Sequence, residues 1–243
     1  TLDVHSIGAG GGSIAHIDSV GSLIVGPKSA GAKPGPACYG MGGKNPTVTD
    51  ANCVLGRVAP SEFMPSGLNL KHNFALKAIT NKVATPLKIN HIQAAAGIIE
   101  ICNLKMSTAV RSITIERGLD PSDFTLCAYG GAGPMHACWI AKQLGIPCVL
   151  IPIAPGQFSA LGILLSQIRH DLVRTVPSNL PYKKIESIFL QMQIEAKKLI
   201  KEEGVKVKKL SFDYSVDARY KGQEFTINVS LKNPKFTKIN IKY

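Results

Sequence analysis

Two glycine-rich segments of this 243-residue chain hold the residues best suited to bind a ligand. The first 43 residues contain eleven glycines, and a second cluster, Gly130-Gly131-Ala132-Gly133-Pro134, follows an apolar run. Glycine weakens ordinary helices and strands, but it allows positive φ angles and lets the main chain approach a ligand closely. The two clusters therefore predict that main-chain amides bind a phosphorylated small molecule.

The second cluster is predicted to end a strand and begin a helix. Amides at a helix N-terminus favour anions or the polar edge of a nucleotide, and Pro134 suits the first helical position. The segment matches neither the dinucleotide pattern, because His136 replaces the third glycine, nor the Walker A pattern. A ligand-contacting turn is favoured, with close helix–sheet packing as the alternative. The candidate binding residues are Gly130, Gly131, Ala132, Gly133 and His136, of which His136 either contacts the ligand or caps the helix.

The first cluster is predicted to form a nest of main-chain donors for a phosphate or an oxyanion. Its candidate binding residues are Gly10, Gly11, Gly12 and Ser13. Just before it, Asp3 and His5 occupy alternate positions of a predicted strand and would point the same way. They could bind a metal or relay a proton, and a hydrogen-bonded pair at a strand end is the alternative.

Two further side chains are candidates for chemistry. Asp50, in Thr49-Asp50-Ala51-Asn52, is either a helix N-cap or a carboxylate that orients Mg²⁺-bound water. Together with Asp3 and His5 it completes the set of candidate catalytic residues. Cys38 lies in a constrained loop and could be a nucleophile, but no partner base is identifiable, which favours a small packed residue.

The elements that position these residues follow from hydrophobic periodicity. Apolar residues recur every three or four positions between Asn90 and Gly118, which predicts a long helix with a cap at each end. Strand-like runs at 124–129 and 148–152 flank a predicted helix over 134–144. This order is a βαβ unit, which favours a parallel sheet. A further buried helix is predicted over 159–167.

The two ends of the chain differ in character. The first 60 residues predict short strands, such as Ser22–Val25, and one or two helical turns from Asp50 to Gly56, with a loop over 61–70. After residue 177 a lysine-rich helix ends at Gly204, and alternating apolar residues predict a β-hairpin with its turn at 221–223. We place a soft domain boundary there, between 1–176 and 177–243. The residues at both ends of the chain are typical of the interior of a folded element, so we expect the chain to be a fragment of a longer protein.

Composition limits the class of protein. Hydrophobic residues make up 45% and charged residues 18%, which is typical of a globular protein. No apolar stretch is long enough to span a membrane, and the first residues are not a signal peptide. The net charge of +12 comes mostly from lysines scattered among acidic residues, without the stacking aromatics of a nucleic-acid site. Six cysteines without a C-x-x-C pair and no secretory signal predict a cytoplasmic location.

Several longer motifs resemble the hydantoinase A/5-oxoprolinase family, in the same order. They are residues 3–15, 25–40, 46–52 and 129–137, and the runs 156–162 and 219–223 match as well. The resemblance covers nearly the whole chain. It implies an α/β fold of the actin-like (ribonuclease H-like) ATPase type, present in part, followed by a C-terminal α+β segment.

The same resemblance implies a function. ATP, with Mg²⁺, would phosphorylate the amide oxygen of a cyclic amide such as 5-oxoproline or a hydantoin, and hydrolysis would follow. Gly130–Gly133 resembles the turn around the nucleoside, and Gly10–Ser13 would lie near the phosphates or the substrate carbonyl. Family members often work with a second, hydantoinase B-type subunit or fused domain.

One departure from the family pattern concerns the phosphate site. Full-length members carry upstream Asp-x-Gly-Gly-Thr segments that hold phosphate and Mg²⁺, and neither occurs here. The chain therefore resembles the C-terminal part of the ATPase core, which we expect to be inactive alone. The alternatives are a subunit of an ATP-dependent ketone carboxylase, or a non-catalytic assembly module. We expect no nucleic-acid or membrane partner.

Overall fold

The structure is a computed structural model that describes residues 4–58, 69–166, 168–177, 180–204 and 210–234. The chain falls into two compact units, residues 1–166 and 167–243. Helices and strands are both present in each unit, as expected for a mixed α/β protein. None of the helices in the described ranges is both long and apolar enough to cross a bilayer. The functional division predicted at 176/177 stays a prediction.

The first unit begins with an antiparallel hairpin of β1 (Ser13–Ile17) and β2 (Leu23–Ser29). Asp18 shapes its loop, because Oδ1 accepts hydrogen bonds from the amides of Val20 and Ser22. The register shifts between Ser13 and Ala15, so the hairpin is irregular beside the first glycine cluster. The predicted strand at Ser22–Val25 is confirmed and extends to Ser29.

Four helices follow this hairpin in the first unit. They are α1 (Val48–Val54), α2 (His72–Ile79), α3 (Thr85–Leu87) and α4 (His91–Ile113). Helix α1 contacts β1, α4 contacts β2, and α2 packs against α1. A π-helical turn, Thr80–Ala84, joins α2 to α3. The predicted long helix is confirmed as α4, which begins with a capping box between Asn90 and Gln93. It ends at Ile113, and a 3₁₀ turn then leads to Gly118, whose φ of 75° is left-handed.

The hydrophobic core of the first unit lies among the hairpin, α1, α2 and α4. Helix α4 is tied to β2 where Lys105 Nζ donates to the carbonyl oxygen of Val25 at 2.5 Å. Burial of these side chains is the main force that holds the helices on the hairpin. The apolar members of this core with the most completely buried branched side chains are Val25, Val48, Ile79, Val83, Ile98 and Ile99.

A parallel unit follows. Strand β3 (Thr125–Cys127), helix α5 (Gly133–Leu144) and strand β4 (Cys148–Leu150) form the predicted βαβ arrangement, and Leu126 pairs with Val149. Both strands are shorter than the apolar runs that predicted them. Helix α6 (Phe158–Leu165) comes next, and its side chains are largely exposed. Exposed apolar residues are concentrated here, with Ile153 94% and Leu164 82% exposed.

The second unit contains the lysine-rich helix α7 (Tyr182–Glu202) and an antiparallel hairpin of β5 (Tyr214–Ala218) and β6 (Ile227–Leu231). The predicted helix and hairpin are confirmed. The rings of Phe189 and Tyr214 meet edge to face, with centroids 5.6 Å apart. This contact joins the helix to the hairpin within the unit.

Candidate functional site

The loops that follow β3 and β4 meet at the carboxyl edge of the parallel pair. The amide of Gly130 donates to the carbonyl oxygen of Pro155 at 2.8 Å. The rings of Tyr129 and Phe158 lie 5.2 Å apart between centroids. In open α/β sheets, ligands bind in the crevice outside the carboxyl ends of the strands. The second glycine cluster is therefore where such a fold places a ligand.

The glycine turn at 130–133 faces open space. A Cβ atom added at Gly130, Gly131 or Gly133 would meet no atom of the described residues within 4 Å. Close helix–sheet packing, the alternative explanation for these glycines, therefore has no contact to support it. Gly130 has a φ of 85°, which favours glycine. Helix α5 begins at Gly133, and no described side chain caps it at Ala132. Pro134 has no N–H and Met135 N donates to Ala132 O at 3.1 Å, so Gly133 N is the amide at this helix start that is left for a ligand.

Between Phe124 and Ile168 the chain that forms this edge carries one charged side chain, Lys142, in the last turn of α5. Residues 124–141 and 143–168 contain no Asp, Glu, Lys or Arg. Charged groups such as a triphosphate bind best where cationic side chains or metals offset their charge. The turn suits an uncharged, polar ligand group, such as the nucleoside part of a nucleotide, better than it suits the phosphates.

His136 is buried against α4 and takes neither of the two predicted roles. Its ring is 0% exposed, and Nδ1 lies 2.6 Å from Oδ1 of Asn103. Burial, with a smaller effect from Arg57, lowers the pKa of His136 below its ordinary value of 6.5. The ring is therefore neutral at physiological pH and is shielded from a ligand in the turn.

Asn103 is a residue that the sequence analysis missed. It is 3% exposed. It lies on the same face of α4 as Ile99 and Ser107, which are four residues before and after it. An amide within the buried stripe of a long helix is a signal that could have revealed it, because buried polar groups require partners.

The first glycine cluster is held mostly by its own contacts. The hydroxyl of Ser13 accepts a hydrogen bond from Gly10 N at 3.0 Å, so that amide is occupied. Gly11 O accepts from both N and Oγ1 of Thr49 at 2.9 Å. A Cβ at Gly11 would lie 2.8 Å from Thr49 Oγ1, whereas at Gly10 it would meet no described atom within 4 Å.

A similar packing restriction applies next to this turn. A Cβ at Gly12 would lie 2.7 Å from Oγ of Ser29, and Gly12 O accepts from Ala30 N at 2.8 Å. Close packing therefore accounts for Gly11 and Gly12. The amides of Gly10 and Ser13 are both engaged within the turn, because Ser13 N also donates to Gly10 O at 2.9 Å. The predicted oxyanion nest at Gly10–Ser13 stays a prediction.

Asp50 is the third residue of α1, and Thr47 is the N-cap. The Asp50 carboxylate is fully buried and accepts hydrogen bonds from Ala37 N, Cys38 N and both N and Oγ1 of Thr47, at 2.7 to 3.2 Å. Of the two predicted roles, the N-cap belongs to Thr47, and Asp50 completes its capping box. These donors occupy the oxygens that a metal-bound water would need.

Cys38 lies beside this carboxylate. Its side chain is 0% exposed, and burial, with the nearby Asp50 charge, raises the pKa of the Cys38 thiol far above its usual range. A nucleophilic cysteine needs the thiolate form. Cys38 is therefore a packed residue, as the sequence analysis favoured.

His5 lies in an irregular segment, and Asp3 lies outside the described residues. Nε2 of His5 is 3.4 Å from a guanidinium nitrogen of Arg117. Together with Ile7 and one face of α4, His5 lines an open groove of about 450 Å³. Within the described ranges, no group of three or more His, Cys, Asp or Glu side chains could hold a metal ion. The predicted pairing of Asp3 with His5 stays a prediction.

This architecture, a βαβ unit with an open glycine turn beside a buried helical core, defines an α/β protein. Residues 1–172 match the family described as hydantoinase/oxoprolinase. The chain belongs to the hydantoinase/oxoprolinase family, as the sequence motifs predicted.

Three similar proteins support the assignment. The caprolactamase subunit alpha of Pseudomonas jessenii is 41% identical over 239 residues, covering 95% of this chain and 34% of that protein. The acetophenone carboxylase gamma subunit of Aromatoleum aromaticum is 38% identical over 229 residues, covering 90% of this chain and 31% of that protein. The crystal structure of the ATP-dependent caprolactamase from Pseudomonas jessenii superposes with a TM-score of 0.77 at 39% identity, covering 98% of this chain and 35% of that one. The chain spans about a third of the length of these curated relatives.

Proposed function

We propose that the chain is the nucleoside-binding part of an ATP-dependent hydrolase that opens a cyclic amide. The observation that carries this proposal is the open, uncharged turn Gly130–Gly133 at the carboxyl edge of β3 and β4. Family membership and the resemblance to a caprolactamase support the substrate class. The fold type that goes with this proposal is the actin-like ATPase.

In this proposal the described residues bind and orient the nucleotide. The bare main chain of the turn lets the nucleoside lie against it, and the Gly133 amide at the start of α5 offers a donor to its polar edge. When bound, ATP supplies the phosphoryl group that activates the amide oxygen. The uncharged turn leaves the phosphates to another part of the site, for which the segment Gly10–Ser13 is the candidate in this chain.

The proposed reaction also needs groups that bind a metal ion and groups that transfer protons. The Asp50 carboxylate already accepts three main-chain amides and the Thr47 hydroxyl, and His136 is buried. The described residues therefore do not fit a Mg²⁺ site, and no step is assigned to this ion. Asp3 and His5 are the candidates in this chain for proton transfer or metal binding.

The proposal includes a larger assembly. The relatives are about three times as long as this chain, and two are named as subunits. Exposed apolar side chains on α6 and beside β4 support a covering partner. We propose that a hydantoinase B-type subunit or fused domain joins it in the cytoplasm, and that this chain does not turn over alone.

The decisive assay measures ATP hydrolysis by the intact protein in the presence of hydantoins, 5-oxoproline and lactams. Phosphate release that depends on one of these rings supports the proposal. ATP hydrolysis that none of the rings stimulates contradicts it.

The similarity to an acetophenone carboxylase subunit favours one second candidate, an ATP-dependent ketone carboxylase. The two activities differ in their products, because only a carboxylase incorporates bicarbonate carbon. Labelled bicarbonate supplied with a ketone and ATP distinguishes them.

A further inference from the structure

One buried hydrogen bond joins the helix that begins at the glycine turn to the core of the first unit. Asn103 lies on α4, His136 lies in the first turn of α5, and the two side chains meet at 2.6 Å. Both are almost completely buried, at 3% and 0% exposure. A short bond of this kind, shielded from water, has a fixed geometry and is costly to break.

The bond also fixes the protonation state of the ring. The atom of Asn103 that faces Nδ1 is the carbonyl oxygen, which only accepts, so Nδ1 carries the hydrogen. Nε2 is then an acceptor, and it has no hydrogen-bond partner among the described residues. A protonated ring would leave a buried N–H donor without a partner, so the neutral Nδ1–H form fits this site.

Helix α4, which carries Asn103, is held in place by the hydrophobic core of the first unit. Helix α4 places Ile98, Ile99 and Cys102 in the core, and its first turn is closed by the Asn90 capping box. Asn103 follows directly after Cys102. A ring bonded to Asn103 therefore has its position set by the core of the unit.

His136 lies three residues after Gly133, where α5 begins. The buried ring cannot contact a ligand in the turn, but it determines where the first helical turn sits. The amide of Gly133, which begins α5, borders the open space above Gly131 and Gly133. Its position relative to a ligand therefore depends on the bond between α4 and α5.

We propose that Asn103 is a positioning residue: through His136 it holds the N-terminus of α5 in the orientation that receives the nucleoside. This inference rests on the nucleotide-binding function proposed above. It assigns a role in ligand affinity to a residue on a different helix, one that does not touch the ligand.

The test measures the affinity of the intact protein for ATP by calorimetry. Asn103→Leu keeps the branched shape of the side chain but removes the acceptor, and we expect the dissociation constant to rise about tenfold. Asn103→Asp retains an acceptor oxygen for Nδ1–H, and we expect it to recover most of the affinity. Asn103→Ser, which is too short to reach the ring, provides a second loss-of-contact variant if the leucine variant does not fold.

Ser107→Ala is the matched control. Ser107 lies one turn further along the same face of α4, is equally buried at 3%, and its hydroxyl has no hydrogen-bond partner among the described residues. We expect this variant to bind ATP like the wild type. Nitrogen NMR of the His136 ring adds a direct readout, with the Nδ1–H form in the wild type and a mixture of tautomers in Asn103→Leu.

The outcomes separate the two proposals. If the wild-type intact protein does not bind ATP, the proposed nucleotide-binding function is itself wrong. If the wild type binds ATP and a folded Asn103→Leu or Asn103→Ser variant binds it equally well, only the positioning role is wrong. Equal losses in Ser107→Ala and Asn103→Leu also overturn it, because a general packing defect would then explain both.

Discussion

The carboxylate of Asp50 accepts a 2.7 Å hydrogen bond from the main-chain amide of Cys38, twelve residues earlier in the chain. The same carboxylate binds Thr47 at the start of α1. One buried side chain therefore joins the proline-rich loop before α1 to the helix itself. Because Thr49 of this helix binds Gly11, the anchor also supports the first glycine turn.

Asp50→Asn should lower the free energy of unfolding by about 2–4 kcal/mol, because one oxygen is replaced by an NH₂ group that faces N–H donors. Urea unfolding of the two proteins measures the difference. Asp18→Asn is the matched control. Only Oδ1 of Asp18 accepts the amides of Val20 and Ser22, in an exposed loop, and asparagine keeps one such oxygen. Its expected change is less than about 0.5 kcal/mol, and similar losses in both variants would contradict the anchoring role.

Local patterns in the sequence predicted the elements well. Apolar spacing and the cap at Asn90 located α4, and the strand–glycine–helix–strand order located the parallel pair of β3 and β4. These signals arise from neighbouring residues, so they can be read without knowing the tertiary fold. The glycine turn that we assign to the nucleoside belongs to this group.

Contacts between distant residues could not be predicted in the same way. The requirement for glycine at position 11 arises from Thr49, and the hydrogen-bond partner of the buried His136 ring is Asn103, 33 residues earlier. Asp50 was proposed as a cap, but its main-chain partners at 37 and 38 depend on how the loop folds back. Nothing in the local sequence specifies such pairs.

The cysteines should divide into two groups by reactivity. Cys38, Cys53 and Cys102 are buried, and burial raises the pKa of the Cys102 thiol to about 11. Three others are exposed: Cys127, Cys138 and Cys148. We expect a thiol reagent at neutral pH to label only the exposed group in the native protein, since thiolates react and buried thiols stay protonated.

Mass spectrometry of the labelled peptides checks this expectation, and unfolding in urea before labelling provides the control in which all six react. Rapid native labelling of Cys38 would show that the loop around Asp50 opens readily, and it would revive the nucleophile hypothesis. Slow labelling of Cys148 would indicate that a partner covers β4.

Folding stability should fall as the pH falls through about 6.5, because of His136. Its native pKa lies below the ordinary value of 6.5, so between these two values the unfolded chain binds a proton that the native ring does not. The loss is at most about 1.4 kcal/mol per pH unit, the limit for one proton. Urea unfolding at pH 7.5, 6.5 and 5.5 measures it. His136→Asn removes the titrating group, and an unchanged pH dependence in that variant would rule out this source.

A substitution in the open glycine turn should weaken ATP binding without changing the stability of the fold. Gly131 has no described neighbour within 4 Å of an added Cβ, and its φ lies outside the range that strains L residues. Gly131→Leu should therefore fold like the wild type, while its side chain fills the space proposed for the nucleoside. We expect the affinity of the intact protein for ATP to fall at least about tenfold, as when a ligand pocket is sterically blocked.

Gly162→Leu is the matched control for this blockade. Gly162 lies in α6, is exposed, and has equally open space among the described residues, but it is outside the turn. Calorimetry with ATP and thermal unfolding of both variants give the comparison. Unchanged ATP binding in a folded Gly131→Leu protein would place the nucleoside elsewhere, because a leucine side chain and a nucleoside cannot occupy the same space above the main chain.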